Sequence, residues 1–152
     1  MNSQGKHWIK RKKLRKVTKK PIGVLKRKLD SAFAEMIRVR DELSACISCG
    51  KNKGTQAGHF MRRELLSTRW HPDNVHGQCA HCNCWLHGNL FEYGKALDKH
   101  YGTGMAQRLT DLSRTSWKPT RESLGALLES AKLGHEAYRE TWEFYGSEAI
   151  RP

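Results

Sequence analysis

The chain has 152 residues, of which 38% are hydrophobic and 28% are charged, a composition that fits one compact domain with appended segments. No apolar run approaches the ~20 residues that a membrane helix needs, so we expect neither a membrane-spanning helix nor a membrane partner. The N-terminus lacks the apolar region of a signal peptide, which argues against export by that route.

The net charge of +13 is concentrated at the N-terminus. Residues 1–29 hold twelve Lys or Arg and no acidic residue, whereas residues 30–152 hold sixteen basic and fifteen acidic residues. Such a segment typically binds a polyanion, most often nucleic acid, although a solvated tail or a targeting signal has a similar composition. We therefore predict that residues 1–28 form a flexible DNA-binding arm. Its phosphate-binding cations would be Lys10, Arg11, Lys12, Lys13, Arg15 and Lys16.

After the arm, the sequence predicts helices with two short strands between them. Asp30 is suited to cap a helix that runs to about Leu43, with apolar residues spaced for one buried face. Residues 55–60 predict a strand, and a second short strand is expected near Val75. A further helix should start in the second cysteine pair and run to about His87.

The C-terminal third predicts helices only. Asn89 is a candidate N-cap for a helix over residues 90–100, and a shorter helix is expected near residues 104–113. Thr120 then opens an amphipathic helix to about Phe144, whose pattern Gly134 interrupts. We thus divide the chain into the arm, a core over residues 29–115 and a C-terminal amphipathic helix over residues 116–152. Its apolar residues offer either a homodimer surface or a lid on the core: Leu124, Leu127, Leu128, Leu133 and Trp142.

Four of the five cysteines are spaced as metal ligands. Cys46 and Cys49 form one Cys-x-x-Cys unit, and Cys79 and Cys82 form a second. Two-residue spacing lets both sulfurs of a turn reach one tetrahedral ion, so two such turns predict a structural zinc site. A redox dithiol or unrelated buried thiols would not explain two matched pairs. Cys84 lies outside the pattern and is expected to be a free or core thiol.

Between and after the cysteines lie residues suited to hydrolysis. His59 ends the first predicted strand, Asn74 follows fifteen positions later, and Asn83 and His87 share a face if the intervening segment is helical. Hydrolysis of a phosphodiester needs a base that activates water, a divalent ion that stabilises charge, and a group that holds the base. This spacing can provide all three.

The arrangement resembles that of the HNH, or His-Me finger, nucleases, in which a ββα-metal core binds one ion. The resemblance implies an α+β fold with His59 as general base, Asn74 as its brace, and Asn83 and His87 as ligands of Mg²⁺ or Mn²⁺. Many HNH sites have a metal-binding Asp or His where this chain has Gly58. The ion would then rest on Asn83, His87, water and phosphate, or recruit His76 or Asp73 from the loop.

Several short segments carry a more specific resemblance: Cys46-Ile-Ser-Cys49-Gly50, Ala57-Gly-His-Phe60, Thr68-Arg-Trp70, Asn74-x-His-Gly-Gln-Cys-x-x-Cys-Asn83 and Tyr101-Gly102. Over about residues 20–115 the sequence resembles the NinG (Rap) recombination nucleases of lambdoid phages. The resemblance implies a phage-encoded, metal-dependent endonuclease in the cytoplasm of the bacterial host that cuts Holliday junctions and D-loops.

Arg63 and Arg69, between the base and its brace, are candidate contacts for the scissile strand, or else ordinary surface arginines. Trp70 is expected in the core, with stacking on unpaired bases as the alternative. Two other functions stay open: a non-catalytic zinc-stabilised DNA-binding or annealing factor, and an HNH nuclease of phage DNA packaging.

Overall fold

The computed structural model describes residues 19–146, so the predicted arm cations at positions 10–16 lie outside the described residues. Within this range the architecture is α+β, as predicted, with a two-stranded sheet among helices. None of its helices combines the length and the apolar character needed to cross a membrane. In chain order the elements are helix α1 (Ile22–Arg40), strand β1 (Gln56–His59), helix α2 (Leu66–Arg69), strand β2 (Val75–Gln78), a π-helical turn (His81–Trp85), and helices α3 (Leu90–Tyr101), α4 (Met105–Ser113), α5 (Arg121–Ala131) and α6 (His135–Tyr145).

Helix α1 begins at Ile22 and not at Asp30, so both the predicted cap and the predicted boundary at residue 28 lie inside the helix. Pro21, with φ −55°, precedes it, and a proline favours a helix start because its ring fixes φ and it lacks an N–H that would need a partner. The helix ends at Arg40, so the predicted extension of the buried face to Leu43 is wrong. The buried face consists of Leu25, Leu29, Phe33, Met36 and Ile37.

The two predicted strands are confirmed and pair antiparallel. Gln56 lies opposite Gln78, and His59 lies opposite Val75. The segment between the strands contains the short helix α2. One face of the hairpin packs towards α1, because Ala57 and Val75 both belong to the core that α1 forms.

The predicted C-terminal helix is two helices, because Gly134 has φ 121° and interrupts it between α5 and α6. The cap at Thr120 is confirmed, since its hydroxyl oxygen accepts from Ser123 N–H at 3.0 Å. Most of the apolar residues offered as a dimer surface or a lid pack with α1 in the larger core cluster, which fits the lid. Leu133, at 57% exposure, is the exception.

A second core cluster lies under α3 and α4, whose predicted positions are confirmed. Its buried members are Phe60, Tyr93, Leu97, Met105 and Leu109. Asn89 precedes α3 as predicted, but its side chain makes no capping hydrogen bond. Instead its amide donates to the Cys82 Sγ at 3.6 Å.

Candidate functional site

The four paired cysteines converge on one point. Cys46 and Cys49 lie in the turn after α1, and Cys79 and Cys82 lie directly after β2. Their sulfur atoms are all within 4.8 Å of one another, and those of Cys49 and Cys79 are 3.9 Å apart. Four Zn–S bonds of ~2.3 Å in a tetrahedron place the sulfurs ~3.8 Å apart. The described geometry therefore fits a structural metal ion such as zinc, as the sequence predicts.

Hydrogen bonds around the sulfurs favour thiolates. The Asn52 amide donates to the Cys79 Sγ at 3.8 Å, and the backbone N–H of Cys82 donates to the same atom at 3.4 Å. Backbone N–H groups of residues 52 and 51 lower the pKa of the Cys49 thiol to about 6, whereas desolvation raises the pKa of Cys82 to about 12. A bound cation would let all four ionise together. Cys84, by contrast, is exposed, which agrees with a free thiol and not with a core one.

His59 lies at the end of β1, in a cavity of about 380 Å³ that Asp30, Arg63 and Trp70 also line. Its Nε2 atom is 3.0 Å from the backbone carbonyl oxygen of Arg69. Because a carbonyl only accepts, Nε2 carries the hydrogen, and the lone pair of the neutral ring is on Nδ1. Burial lowers the pKa of His59 below its ordinary value of 6.5, so the ring is neutral at pH 7. His59 can therefore accept a proton at Nδ1.

Asp30 anchors the residues around this histidine, a role that the sequence analysis missed. Arg69 donates to both carboxylate oxygens at 2.9 and 2.6 Å, and Arg63 donates to one at 2.9 Å. The indole N–H of Trp70 completes the set at 2.9 Å. Burial opposes ionisation, but the bonds from Arg69 and Arg63 hold the pKa of Asp30 below its ordinary value.

Trp70 is fully buried, so the prediction that it lies in the core is confirmed and the stacking alternative is wrong.

Asn74 is fully buried and joins both ends of the segment between the strands. Its Oδ1 accepts from Met61 N–H at 2.7 Å, and its Nδ2 donates to the carbonyls of Met61 and Thr68, each at 3.0 Å. Thr68 lies in the short helix that also contains Arg69, the hydrogen-bond partner of His59. Asn74 therefore holds the segment between the strands in place. A direct role of Asn74 in a reaction stays a prediction.

Asn83 and His87 do not lie on the common helix face that the sequence predicts. The π-helical turn ends at Trp85, and His87 follows in left-handed backbone with φ 49°, so the predicted helix to His87 is wrong. Asn83 donates to Gln56 Oε1 at 2.8 Å. Gln56 is at the opposite end of β1 from His59, roughly 10 Å away along the strand, and side-chain alternation directs the two to opposite faces.

Gly58 occupies the position at which the resemblance to HNH nucleases predicts a metal ligand. The side chain of Gln78 fills the space beside Gly58. A Cβ atom at Gly58 would lie 1.9 Å from Gln78 Oε1. The amide nitrogen of Gln78 donates to Ser48 Oγ at 2.6 Å and to the Gly88 carbonyl at 2.7 Å. Its Oε1 is buried without a hydrogen-bond partner among the described residues. A longer side chain at position 58 would therefore displace Gln78.

The loop residues offered as substitute ligands have other partners. Both ring nitrogens of His76 contact tyrosine hydroxyls, at 3.0 Å from Tyr93 and 2.7 Å from Tyr101. Asp73 is paired with Arg139. Across residues 19–146, the four cysteines are the group of three or more metal-ligating side chains whose ligand atoms converge. No such group among residues 19–146 includes His59, so the catalytic ion stays a prediction.

Comparison with known proteins identifies the family to which the chain is similar. A family model described as Bacteriophage Lambda NinG protein matches residues 2–139. Protein ninG of Salmonella phage P22 is 32% identical over 109 residues, which cover 69% of this chain and 54% of that protein. Protein ninG of Escherichia phage lambda is 34% identical over 93 residues, which cover 59% of this chain and 46% of that protein.

The chain thus spans about half the length of the curated relatives it matches. No solved structure matches it. Because the family model covers most of its length, the chain belongs to the NinG family.

Proposed function

We propose that this protein is an endonuclease that hydrolyses phosphodiesters in branched DNA such as Holliday junctions and D-loops, during phage recombination in the cytoplasm of the bacterial host. The observation that carries the proposal is His59, a partly buried histidine that lines a cavity together with Arg63 and whose Nε2 is fixed by a carbonyl, which leaves the lone pair on Nδ1. A neutral imidazole held in one tautomer is what a general base requires.

In this proposal His59 Nδ1 removes a proton from the attacking water. Arg63, whose side chain is 58% exposed, contacts the scissile phosphate, because it can turn from Asp30 towards solvent. Arg69 is held by Asp30 at 2.6 Å and is less exposed, so its role is to position His59 through its carbonyl more than to bind phosphate. The cysteine-bound zinc ion would stabilise the hairpin that presents His59.

Charge and family resemblance support DNA as the substrate. The net charge of +13 favours a polyanion, and twelve of the basic residues lie in the first 29 positions. The resemblance of residues 20–115 to recombination nucleases favours branched intermediates over linear duplexes. A catalytic Mg²⁺ or Mn²⁺ stays a prediction, and no step is assigned to it.

One observation favours a second candidate, a non-catalytic zinc-stabilised DNA-binding or annealing factor. Asn83 donates to Gln56, at the other end of β1 from His59, and the helix predicted to carry His87 ends at Trp85. Such a protein would retain zinc and bind DNA, but it would not cut any substrate.

Cleavage of a labelled four-way junction, beside a linear duplex of the same sequence, separates these functions. Wild type, His59→Ala and His100→Ala would be compared in Mg²⁺ and in Mn²⁺, with zinc content measured for each. His100 is exposed on α3 and serves as the matched histidine control. We expect junction cutting that His59→Ala abolishes and His100→Ala retains. Tight junction binding without cutting would favour the binding factor, and equal cutting of both substrates would favour a packaging nuclease.

A further inference from the structure

We propose that Trp85 and Phe91 form a platform on which unpaired bases of branched DNA stack. The proposal deepens the proposed function, and it rests on that function for its choice of DNA as the ligand. The aromatic platform consists of four apolar residues within seven positions, all of them exposed: Trp85, Leu86, Leu90 and Phe91.

The two aromatic rings are unusually open to solvent. Trp85 and Phe91 are each 77% exposed. The other tryptophans among residues 19–146 are buried at 6% exposure or less. Exposed apolar clusters of this kind mark interaction surfaces more often than they contribute to stability.

The backbone fixes the platform in place. Trp85 ends a π-helical turn, a conformation that is rare and is frequent at functional sites. His87 and Asn89 both have positive φ, at 49° and 47°, and these are the non-glycine residues of the described chain in that region. Asn89 also donates to the sulfur of Cys82, so the segment is tied to the metal centre. A pre-positioned surface loses less entropy when a ligand binds.

The platform segment lies against the backbone of the strand that carries the proposed base. A Cβ atom at Gly88, in the middle of the platform segment, would be 3.9 Å from the backbone carbonyl oxygen of His59. The Gly88 carbonyl in turn accepts from Gln78 at 2.7 Å. The platform segment is therefore packed on the same hairpin that carries His59.

Charge argues for DNA as the occupant over a second copy of the chain. Two copies that each carry +13 repel one another, whereas a nucleic acid strand is attracted. The ammonium group of Lys95 lies 5.3 Å from the centre of the Phe91 ring and 3.2 Å from a carboxylate oxygen of Glu92. Aromatic rings beside cations are the usual means of holding single-stranded nucleic acid.

Binding, measured without added divalent ions, tests the platform independently of cleavage. The probes are a labelled duplex with a three-nucleotide unpaired bulge and a fully paired duplex of the same length. We expect Trp85→Ala and Phe91→Ala each to weaken binding of the bulged probe about 5- to 150-fold and to leave the paired probe almost unchanged. Trp85→Phe should restore most of the affinity. Phe144→Ala, at an exposed aromatic residue on α6, is the matched control and should have no effect.

Equal weakening for both probes, or none, would overturn the proposal. So would sedimentation showing a wild-type dimer that Trp85→Ala converts to monomer, because a second copy would then cover the platform. A protein that prefers the bulged probe through Trp85 but never cuts DNA would keep this proposal and overturn the proposed endonuclease.

Discussion

The Nε2 atom of His59 lies 3.0 Å from the carbonyl oxygen of Arg69, and the guanidinium group of Arg69 is held by Asp30 from helix α1. A carboxylate on α1 thereby determines where the backbone of α2 lies, and that backbone fixes the tautomer of the histidine. The orientation of the proposed base thus depends on a contact between elements 39 residues apart in the chain.

Asp30→Asn should weaken this contact. We expect the free energy of unfolding to fall by about 1–3 kcal/mol, because a half-buried Arg69 loses its charged partner. Urea unfolding measures the change. Glu35→Gln, at an exposed ion pair on the same helix, is the control and should cost less than about 1 kcal/mol. Equal effects of the two variants would show that Asp30 is an ordinary surface acid.

The pH dependence of cleavage should reflect the partial burial of His59. Its pKa in the folded chain is below 6.5, so the base is neutral at pH 7 and protonated only in more acidic solution. We expect kcat/KM for junction cleavage to be constant from pH 7 to 8 and to fall with a midpoint below 6.5. Stability should fall in the same direction, because the unfolded chain binds this proton more tightly than the folded one. A midpoint above 7 would contradict the burial of His59.

Metal removal should unfold the chain. We expect one zinc ion per chain by elemental analysis and loss of helical circular dichroism on chelation, because the ion joins the turn after α1 to the end of β2. Cys79→Ser should lose the metal, whereas Cys84→Ser, which changes an exposed thiol, should retain it. A Cys79→Ser protein that keeps both its zinc and its fold would show that the cluster is not the site.

Gly58→Ala should destabilise the protein by about 1–3 kcal/mol, because the added methyl group overlaps the buried side chain of Gln78. A double-mutant cycle with Gln78→Ala tests this cause. The cost of Gly58→Ala should shrink when Gln78 is shortened, since the overlapping atoms are then gone. An unchanged cost in the two backgrounds would place the effect elsewhere.

Features set by neighbouring residues could be predicted from the sequence. The two Cys-x-x-Cys units predict their own chelate geometry, and Thr120 is recognisable as a cap because its partner is only three residues away. The two strands that the sequence predicts, over residues 55–60 and near Val75, are both present in the structure.

Features set by distant partners could not. Asp30 precedes an apolar pattern and is therefore predicted as a helix cap, but the side chains that it binds, Arg63 and Arg69, lie more than thirty residues away. The prediction of a helix that reaches His87 is wrong, because this segment forms a π-helical turn followed by left-handed backbone. Hydrophobic spacing does not reveal either conformation. Without that helix, Asn83 and His87 do not share the helix face on which the predicted ion site depends.

The central claim, that His59 is the general base of a nuclease, is tested most directly by chemical rescue. Single-turnover cleavage of a labelled four-way junction would be measured for wild type and for His59→Ala, with and without added imidazole. We predict that His59→Ala slows cutting about 10²- to 10⁴-fold. Added imidazole should restore part of the lost rate, and its neutral form should be the active one, because only that form can accept a proton. Wild type that leaves the junction intact, or His59→Ala that cuts at the wild-type rate, would contradict the claim.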